Sequence, residues 1–384
     1  MKKGPRFQPL PKEALIFRQI YRYYPSQLPS KQKSFSQPSL QAQEQGYSQL
    51  LAPVEELFFG GGGGAGRALP SAIREASKYG LDLNKIKVVC GSSVGTILAL
   101  GLTIGIPLDH MPNVLDEMPT EQFTDWSFDS VTSFPSSWGL CKGEVMPNYF
   151  KKLIKERTGL EDPTFQELYD AGYTKELRVV TSNLDTGDIT VFSRFTTPDK
   201  KICPIMALSC FVPIIFPPRW IENGQGEKEL HTDGGVLKNY PFGVGSDDKV
   251  PLNKQLGFIF VNGTTAKNLE GEQKPKIKTL LDYFVALASV LIFQQIFNLE
   301  EPVKQRTIAV RINHNSLKFT ATQEEQKILD RAGAESVKSF VHQAMMRQKA
   351  SYQGALVQAY RTGTKADAKD RRPERQKSKV RRSS

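Results

Sequence analysis

The chain of 384 residues has few of the side chains that build metal centres and disulfide frameworks. It has four cysteines, which are Cys90, Cys141, Cys203 and Cys210. They form no C-x-x-C pair, and no histidine stands at the spacing of a metal ligand from any of them. This pattern excludes the common zinc and disulfide scaffolds and favours a reducing compartment. No metal is therefore expected.

Long apolar runs are also missing. The most apolar stretch, residues 283–293, is too short to cross a bilayer, which takes about 20 residues. The N-terminus carries Lys2, Lys3 and Arg6 and continues into proline and glutamine, unlike the apolar segment of a secretory signal peptide. We expect a cytoplasmic, peripherally membrane-associated protein without a transmembrane segment, and export by a route independent of a signal peptide stays open.

Acidic residues are scarce at the two ends of the chain, where the net charge of +11 is concentrated. Residues 1–50 carry eight Lys and Arg against two Glu, and residues 365–384 carry nine against three acidic residues. These tails predict peripheral contact with anionic membranes, with a merely solvated tail as the alternative. Nucleic-acid binding is not expected, because the C-terminal tail lacks interleaved aromatic residues.

Composition along the chain predicts three parts. Residues 1–50 form a flexible basic leader with one short helix, residues 51–345 form one large domain, and residues 346–384 form a C-terminal helix and a disordered basic tail. With 39% hydrophobic residues the chain can bury a large core.

The middle part alternates between strand and helix patterns. A strand ending at Phe59 leads through a glycine run to a helix over residues 67–79, and a strand over 86–90 leads through a serine turn to a helix over 96–102. This alternation predicts an α/β fold with a mostly parallel central sheet flanked by helices. Further strands are predicted at 177–182, 189–192, 256–261 and 307–312, and helices at 276–300 and 321–360.

Ser93 lies in a Gly91-Ser92-Ser93-Val94-Gly95 motif between the second predicted strand and its helix. Small flanking residues permit a cramped strand-to-helix turn that exposes the serine hydroxyl above a helix N-terminus. The motif therefore predicts that Ser93 is a nucleophile.

The glycine run is compatible with several sites. Gly61, Gly63 and Gly66 satisfy a dinucleotide-binding pattern, but Asp82 precedes the second strand and is poorly placed to bind a ribose. A phosphate-binding P-loop is excluded because Arg67-Ala68 occupies the positions of its Lys and Ser/Thr. A flexible surface loop is the bland alternative. We favour an oxyanion hole formed by four glycines at the start of a helix: Gly61, Gly62, Gly63 and Gly64.

Asp233 follows a strand-like segment and precedes Gly234 and Gly235. Asp-Gly-Gly by itself is typical of a hairpin turn. Together with Ser93 and the glycine run it predicts instead a general base, since a buried carboxylate beside a serine hydroxyl gains basicity.

These three motifs, in this order, resemble the patatin-like phospholipase family, whose members use a Ser–Asp dyad. Two further segments, Thr181–Gly187 and Ala207–Pro218, resemble family segments, and Asn239 and Pro241 follow Asp233 as in the family. The resemblance covers residues 55–345 and departs at one position: Ala65 stands where the family usually has Lys or Arg, with Arg67 displaced past Gly66.

The resemblance implies hydrolysis of fatty acyl esters of phospholipids or lysophospholipids with no metal or cofactor. Ser93 corresponds to the nucleophile, Asp233 to the base and Gly61 to Gly64 to the oxyanion loop. It leaves open whether a protein activator is needed. An apolar helical stripe in residues 276–298 is suited to an acyl-chain groove, although a core helix is the commoner explanation.

Two alternatives stay open at this point. The first is an α/β-hydrolase with a triad of Ser93, an acidic residue and His314, because that fold has the chain order Ser, Asp, His. The second is a non-catalytic lipid-binding protein on the same scaffold.

Overall fold

A computed structural model describes residues 49–118, 134, 136–247, 249–262, 283, 299–312 and 320–369, with backbone only at 262, 352 and 354–369. The predicted leader, almost all of the predicted helix at 276–300, His314 and most of the basic C-terminal tail lie outside the described residues.

The described elements alternate between strands and helices, as the sequence predicts. The strands are β1 Glu56–Phe59, β2 Val88–Ser92, β3 Glu176–Asn183, β4 Asp188–Phe192, β5 Arg219–Glu222, β6 Lys228–Asp233, β7 Gln255–Asn262 and β8 Thr307–Ile312. The helices are α1 Leu69–Ser77, α2 Val94–Thr103, α3 Met111–Asp116, α4 Val145–Thr158, α5 Phe165–Asp170, α6 Ile202–Ser209, α7 Gly235–Lys238, α8 Glu301–Lys304 and α9 Gln323–Lys369. Two 3₁₀-helices cover Gly63–Ala68 and Leu252–Lys254.

The strands form one sheet whose centre is parallel. Strands β3, β2, β1, β7 and β8 are neighbours in that order and run in the same direction. Strands β4, β5 and β6 extend the sheet with antiparallel pairs at the β3 side. The prediction of an α/β fold with a mostly parallel sheet is confirmed.

One edge of β3 is shared by two strands. Strand β4 pairs with residues 179–183 of β3, so it occupies one edge along that length. Strand β2 pairs with residues 176–180 and β6 with residues 181–183, and both therefore lie on the opposite edge, end to end. Where β2 stops, at Ser92 opposite Val180, β6 takes over with Asp233 opposite Thr181.

The central strands are buried on both faces of the sheet, and their side chains are accordingly apolar on both faces. Successive side chains of a strand point to opposite faces. Accordingly Phe59, Val89 and Val179 belong to the larger core cluster, while Phe58, Cys90 and Val180 belong to a second cluster on the other face. Helix α9 packs against helix α1 and against β8, the last strand at one end of the sheet.

Most predicted elements are found, with shifts at their ends. The helix predicted to start at Arg67 is preceded by a 3₁₀ turn over Gly63–Ala68, and its α-helical part begins at Leu69. Helix α9 begins at Gln323 and passes residue 345, where the sequence predicts a boundary; the three-part division of the chain stays a prediction. Helices α4 and α6 and strand β5 were not predicted.

The described residues contain no helix that is both long enough and apolar enough to cross a bilayer.

All four cysteines carry free thiols, and burial raises the pKa of Cys90 to about 12.

Gly257 tests how tightly the sheet packs on its second face. A Cβ atom at this position would lie 1.7 Å from Oη of Tyr240, whose hydroxyl is 2.8 Å from Oγ1 of Thr307. We expect Gly257→Ala to lower the free energy of unfolding by about 1–3 kcal/mol, the usual cost of overpacking. Urea unfolding measures this change. Gly224→Ala is the control because a Cβ there meets open space, and an equal loss in both variants would contradict the packing described.

Candidate active site

Ser93 occupies a sharp turn between β2 and α2. Its backbone angles, φ 52° and ψ −132°, lie in a region that L-residues rarely adopt, and such strain costs about 1–3 kcal/mol. The flanking glycines allow this turn: a Cβ at Gly91 would lie 2.4 Å from the carbonyl carbon of Gly95, and one at Gly95 would lie 2.3 Å from the carbonyl oxygen of Phe59. The turn leaves Ser93 partly exposed at the start of α2.

Ser209, the last residue of α6, supports this turn from below. Its Oγ accepts a hydrogen bond from the Ser93 backbone N–H at 3.2 Å and donates one to the Val180 carbonyl at 2.7 Å. Oγ1 of Thr96 lies 3.1 Å from Oγ of Ser209 and also donates to the Ser93 carbonyl. These two hydroxyls connect the strained turn to β3. Ser209 lay in a segment that resembles the family, but its contact with Ser93 was not predicted.

Asp233 lies directly against Ser93. The Ser93 hydroxyl donates a hydrogen bond to Oδ2 of Asp233 at 2.9 Å, while Oδ1 accepts one from the Gly235 N–H at 2.6 Å. The carboxylate is fully buried. Burial raises the pKa of Asp233 to about 7, although the bonds from Gly235 and Ser93 pull it down. Two residues 140 positions apart in sequence therefore form a hydrogen-bonded pair of a partly exposed serine and a fully buried carboxylate.

The segment after Asp233 forms a helix and not a hairpin. Gly234 and Gly235 lead into α7, and a Cβ at Gly234 would lie 2.3 Å from the Val180 carbonyl oxygen. The hairpin interpretation of Asp-Gly-Gly is therefore wrong, because the chain turns into α7 at this position.

Gly61 brings the glycine run next to Ser93. A Cβ at Gly61 would lie 2.9 Å from Cβ of Ser93 and 2.3 Å from Oδ1 of Asn239, so a larger residue does not fit. Asn239 binds Gly61 twice: its carbonyl accepts the Gly61 N–H at 2.9 Å and its side-chain Nδ2 donates to the Gly61 carbonyl at 3.3 Å. The Gly61 amide is thus already used, and this residue supplies close approach.

The next three glycines start the 3₁₀-helix. Gly62 is its N-cap, and Gly63 and Gly64 are its first two residues. The first N–H groups of a helix have no acceptor within the helix and form an anion site. Gly63 has a φ of 54° and is the partly exposed member of the run. Gly62, Gly63 and Gly64 thus follow directly after Gly61, the glycine that contacts Ser93.

Arg67, the cation at the end of this 3₁₀-helix, is buried and turned inward. Its side chain is 1% exposed, pairs with Asp116 and donates to Oε1 of Gln326 at 3.3 Å. Ala65 stands where the family usually has a basic residue. Because the Arg67 side chain is buried against Asp116 and Gln326, it does not replace that charge at the site. The interaction of Arg67 with α9 was not predicted, since nothing in the sequence pairs residues so far apart.

The described histidine nearest to Asp233 in the sequence is buried and bonded elsewhere. Nδ1 of His231 lies 2.9 Å from Oγ1 of Thr181, its Nε2 lies 3.6 Å from Glu229, and burial lowers its pKa. His314, the histidine of the alternative triad, lies outside the described residues. The hydroxyl of Ser93 meets a carboxylate without an imidazole between them.

The described residues contain no cluster of three or more His, Cys, Asp or Glu side chains that could hold a metal ion. The dinucleotide interpretation of the glycine run also lacks a free amide at Gly61, the first glycine of that pattern.

Comparison with known proteins identifies one family. The sequence pattern of the family described as patatin-like phospholipase matches residues 57–245, from β1 past the Asp233 turn. This segment of the chain belongs to the patatin-like phospholipase family. The predicted resemblance is confirmed. The matching segment contains Ser93, Asp233 and the glycine run.

Two proteins with similar sequences come from viruses. An uncharacterised protein of Acanthamoeba polyphaga mimivirus is 28% identical over 290 residues, which is 74% of this chain and 93% of that protein. A probable lipid hydrolase of Invertebrate iridescent virus 6 is 28% identical over 224 residues, which is 57% of this chain and 73% of that protein. Among solved structures, VipD from Legionella pneumophila matches with a TM-score of 0.48 at 15% identity, covering 76% of this chain and 67% of its own.

The raised pKa of Asp233 predicts how stability depends on pH. Between about pH 4 and about pH 7 the folded state holds a proton on Asp233 that the unfolded chain has lost, so the free energy of unfolding falls as the pH rises through this window. In Asp233→Asn this contribution is absent. We expect the stability of the wild type relative to Asp233→Asn to drop by up to about 4 kcal/mol across the window. Urea unfolding at pH 4 and pH 8 measures it, and parallel pH dependences would contradict a raised pKa.

Proposed function

We propose that the protein hydrolyses fatty acyl esters of phospholipids or lysophospholipids, with Ser93 as nucleophile, Asp233 as general base and an oxyanion hole in the glycine run. The observation that carries this proposal is the 2.9 Å hydrogen bond from the Ser93 hydroxyl to a fully buried carboxylate. Membership of the patatin-like family supports lipid hydrolysis as the class of reaction.

In the first step Asp233 takes the hydroxyl proton as Oγ of Ser93 attacks the ester carbonyl. The carbonyl oxygen becomes an oxyanion that accepts hydrogen bonds from the amides of Gly62, Gly63 and Gly64. Each donor of this kind contributes about 2.7–4 kcal/mol in other enzymes. Collapse of the tetrahedral intermediate releases the alcohol, which takes the proton from Asp233 and leaves an acyl ester on Ser93.

In the second step water attacks the acyl ester. Asp233 takes a proton from this water, the oxyanion forms in the same hole, and its collapse returns the proton to Ser93 and releases the fatty acid. One carboxylate thus serves as base and acid in both halves, so no histidine is needed.

The raised pKa of Asp233 supports a mechanism in which one carboxylate is the base. An aspartate with an ordinary pKa near 4 is a weak base toward a hydroxyl at neutral pH. A pKa of about 7 brings Asp233 close to the working range of a histidine base. Catalysis is most efficient when the pKa of the base lies near the pH of reaction.

Removal of either member of the pair tests the mechanism. We expect Ser93→Ala to abolish acyl release from a panel of phospholipids and lysophospholipids, because the variant lacks the hydroxyl that attacks the ester. Asp233→Asn keeps the shape but loses the base, and should lower kcat by about 100-fold or more. Mass spectrometry of released fatty acid measures both.

His314→Ala is the control for the alternative triad. In the proposed mechanism this variant keeps its activity, whereas a loss comparable to that of Asp233→Asn would support a histidine base. A fluorophosphonate probe should label the wild type and fail to label Ser93→Ala. Lipid binding without acyl release by the wild type would contradict the proposal and favour a lipid-binding protein.

The basic C-terminal tail extends the proposal to membrane contact. We expect the full chain to sediment with vesicles that contain phosphatidylserine and to be released as salt rises, because basic residues near an anionic surface contribute about 1 kcal/mol each. Replacing Arg371, Arg372 and Arg375 together by Gln should lower the binding constant by about 100-fold. Equal binding of both proteins would remove the tail from the proposal.

A protein activator also remains a proposal, and added cell extract that raises the turnover of the wild type would support it.

A further inference from the structure

The 3₁₀-helix that presents the proposed oxyanion amides has little stability of its own. Three of its six residues are glycine, and glycine loses more conformational freedom on folding than any other residue. Its N-terminal side is held by Asn239 at Gly61. Its C-terminal side ends at Arg67 and Ala68, which must be held by other elements.

Gln326 in the first turn of α9 holds the C-terminal side. Its Oε1 accepts from the Arg67 guanidinium at 3.3 Å, and its Nε2 donates to the Arg67 backbone carbonyl at 3.3 Å and to Oδ1 of Asp330 at 3.0 Å. One amide side chain thus binds the side chain and the backbone of the same residue. Such a two-point contact fixes position as well as distance.

The start of α9 places Gln326 reproducibly. Thr322 and Glu325 form reciprocal hydrogen bonds between side chain and backbone, 2.8 Å and 3.2 Å long, just before and within the first turn. This capping pattern fixes where the helix begins. Gln326 is the next residue, so the helix start determines where its amide lies.

A second contact between α9 and this region is independent of Gln326. Gly333, about two turns further along α9, is buried, and a Cβ there would lie 2.3 Å from the Ala68 carbonyl oxygen and 2.4 Å from Oγ of Ser71. The backbone of α9 therefore touches the junction between the 3₁₀-helix and α1. Both contacts come from residues outside the segment 57–245 that matches the family.

We propose that Gln326 is a positioning residue that holds the amides of Gly62, Gly63 and Gly64 in place through Arg67, so that the C-terminal helix completes the active site. The catalytic part of this inference rests on the proposed function. It involves no contact of Gln326 with substrate. Arg67 stays paired with Asp116 when Gln326 is replaced, so loss of the glutamine leaves no unpaired buried charge.

The test compares Gln326→Leu with Gln343→Leu, an exposed glutamine on the same helix. With a p-nitrophenyl ester of a short fatty acid, we expect Gln326→Leu to lower kcat by about 10-fold or more with KM nearly unchanged, because misplaced donors weaken transition-state binding alone. Gln326→Glu keeps an acceptor for the Arg67 guanidinium but loses the donor to the Arg67 carbonyl and to Asp330, so we expect it to lower kcat as well. Gln343→Leu should match the wild type.

Hydrogen–deuterium exchange supplies a readout that does not need activity. The peptide covering residues 60–68 should exchange faster in Gln326→Leu than in Gln343→Leu, while peptides from β7 exchange equally. Gly333→Ala should act in the same direction, and its melting temperature shows whether the fold is kept. Unchanged exchange and unchanged kcat in Gln326→Leu would overturn the inference while leaving Ser93-dependent hydrolysis intact. Absence of turnover in the wild type would instead contradict the proposed function, and exchange alone would then decide whether Gln326 holds the loop.

Discussion

The active site depends on how two strands divide one edge of β3. Strand β2 covers that edge up to Val180, and β6 continues from Thr181 in the opposite direction. Ser93 and Asp233 stand at the point where the two strands meet, so they are neighbours although 140 residues separate them. A parallel strand delivers the serine on its way to α2, and an antiparallel strand delivers the carboxylate on its way to α7. This junction also buries the Asp233 carboxylate, because the sheet and the helices α2 and α6 pack around it.

Burial at this junction gives Asp233 both its cost and its use. A carboxylate without water is destabilised when charged, which raises its pKa, and the same shift makes it a stronger base toward the Ser93 hydroxyl. The hydrogen bonds from Gly235 and Ser93 limit the shift. The strained turn at Ser93 adds a further cost, offset by the bonds from its backbone to Ser209 and Thr96. Stability is thus lower at the place where chemistry is proposed.

The glycine run acts by its shape rather than by charge. Gly61 permits contact with Ser93, and its own amide is bound by Asn239. The one cation of the run, Arg67, points away from the site to Asp116 and Gln326. The chain beyond the family segment therefore contacts the part of the site with the least intrinsic stability.

Local pattern by itself determined the alternating α/β order, the serine turn, the glycine run and the acidic residue after β6, because strand and helix periods and Gly–Ser spacing are properties of neighbouring residues. It also indicated the family. Only the tertiary structure decided that Ser93 and Asp233 meet, that Gly61 lacks a free amide, that Asp-Gly-Gly enters α7, and that Arg67 is held by Gln326. These facts depend on strand order and on side chains brought together from distant segments, and it is burial that raises the pKa of Asp233. Neither strand order nor burial can be read from the spacing of residues along the chain.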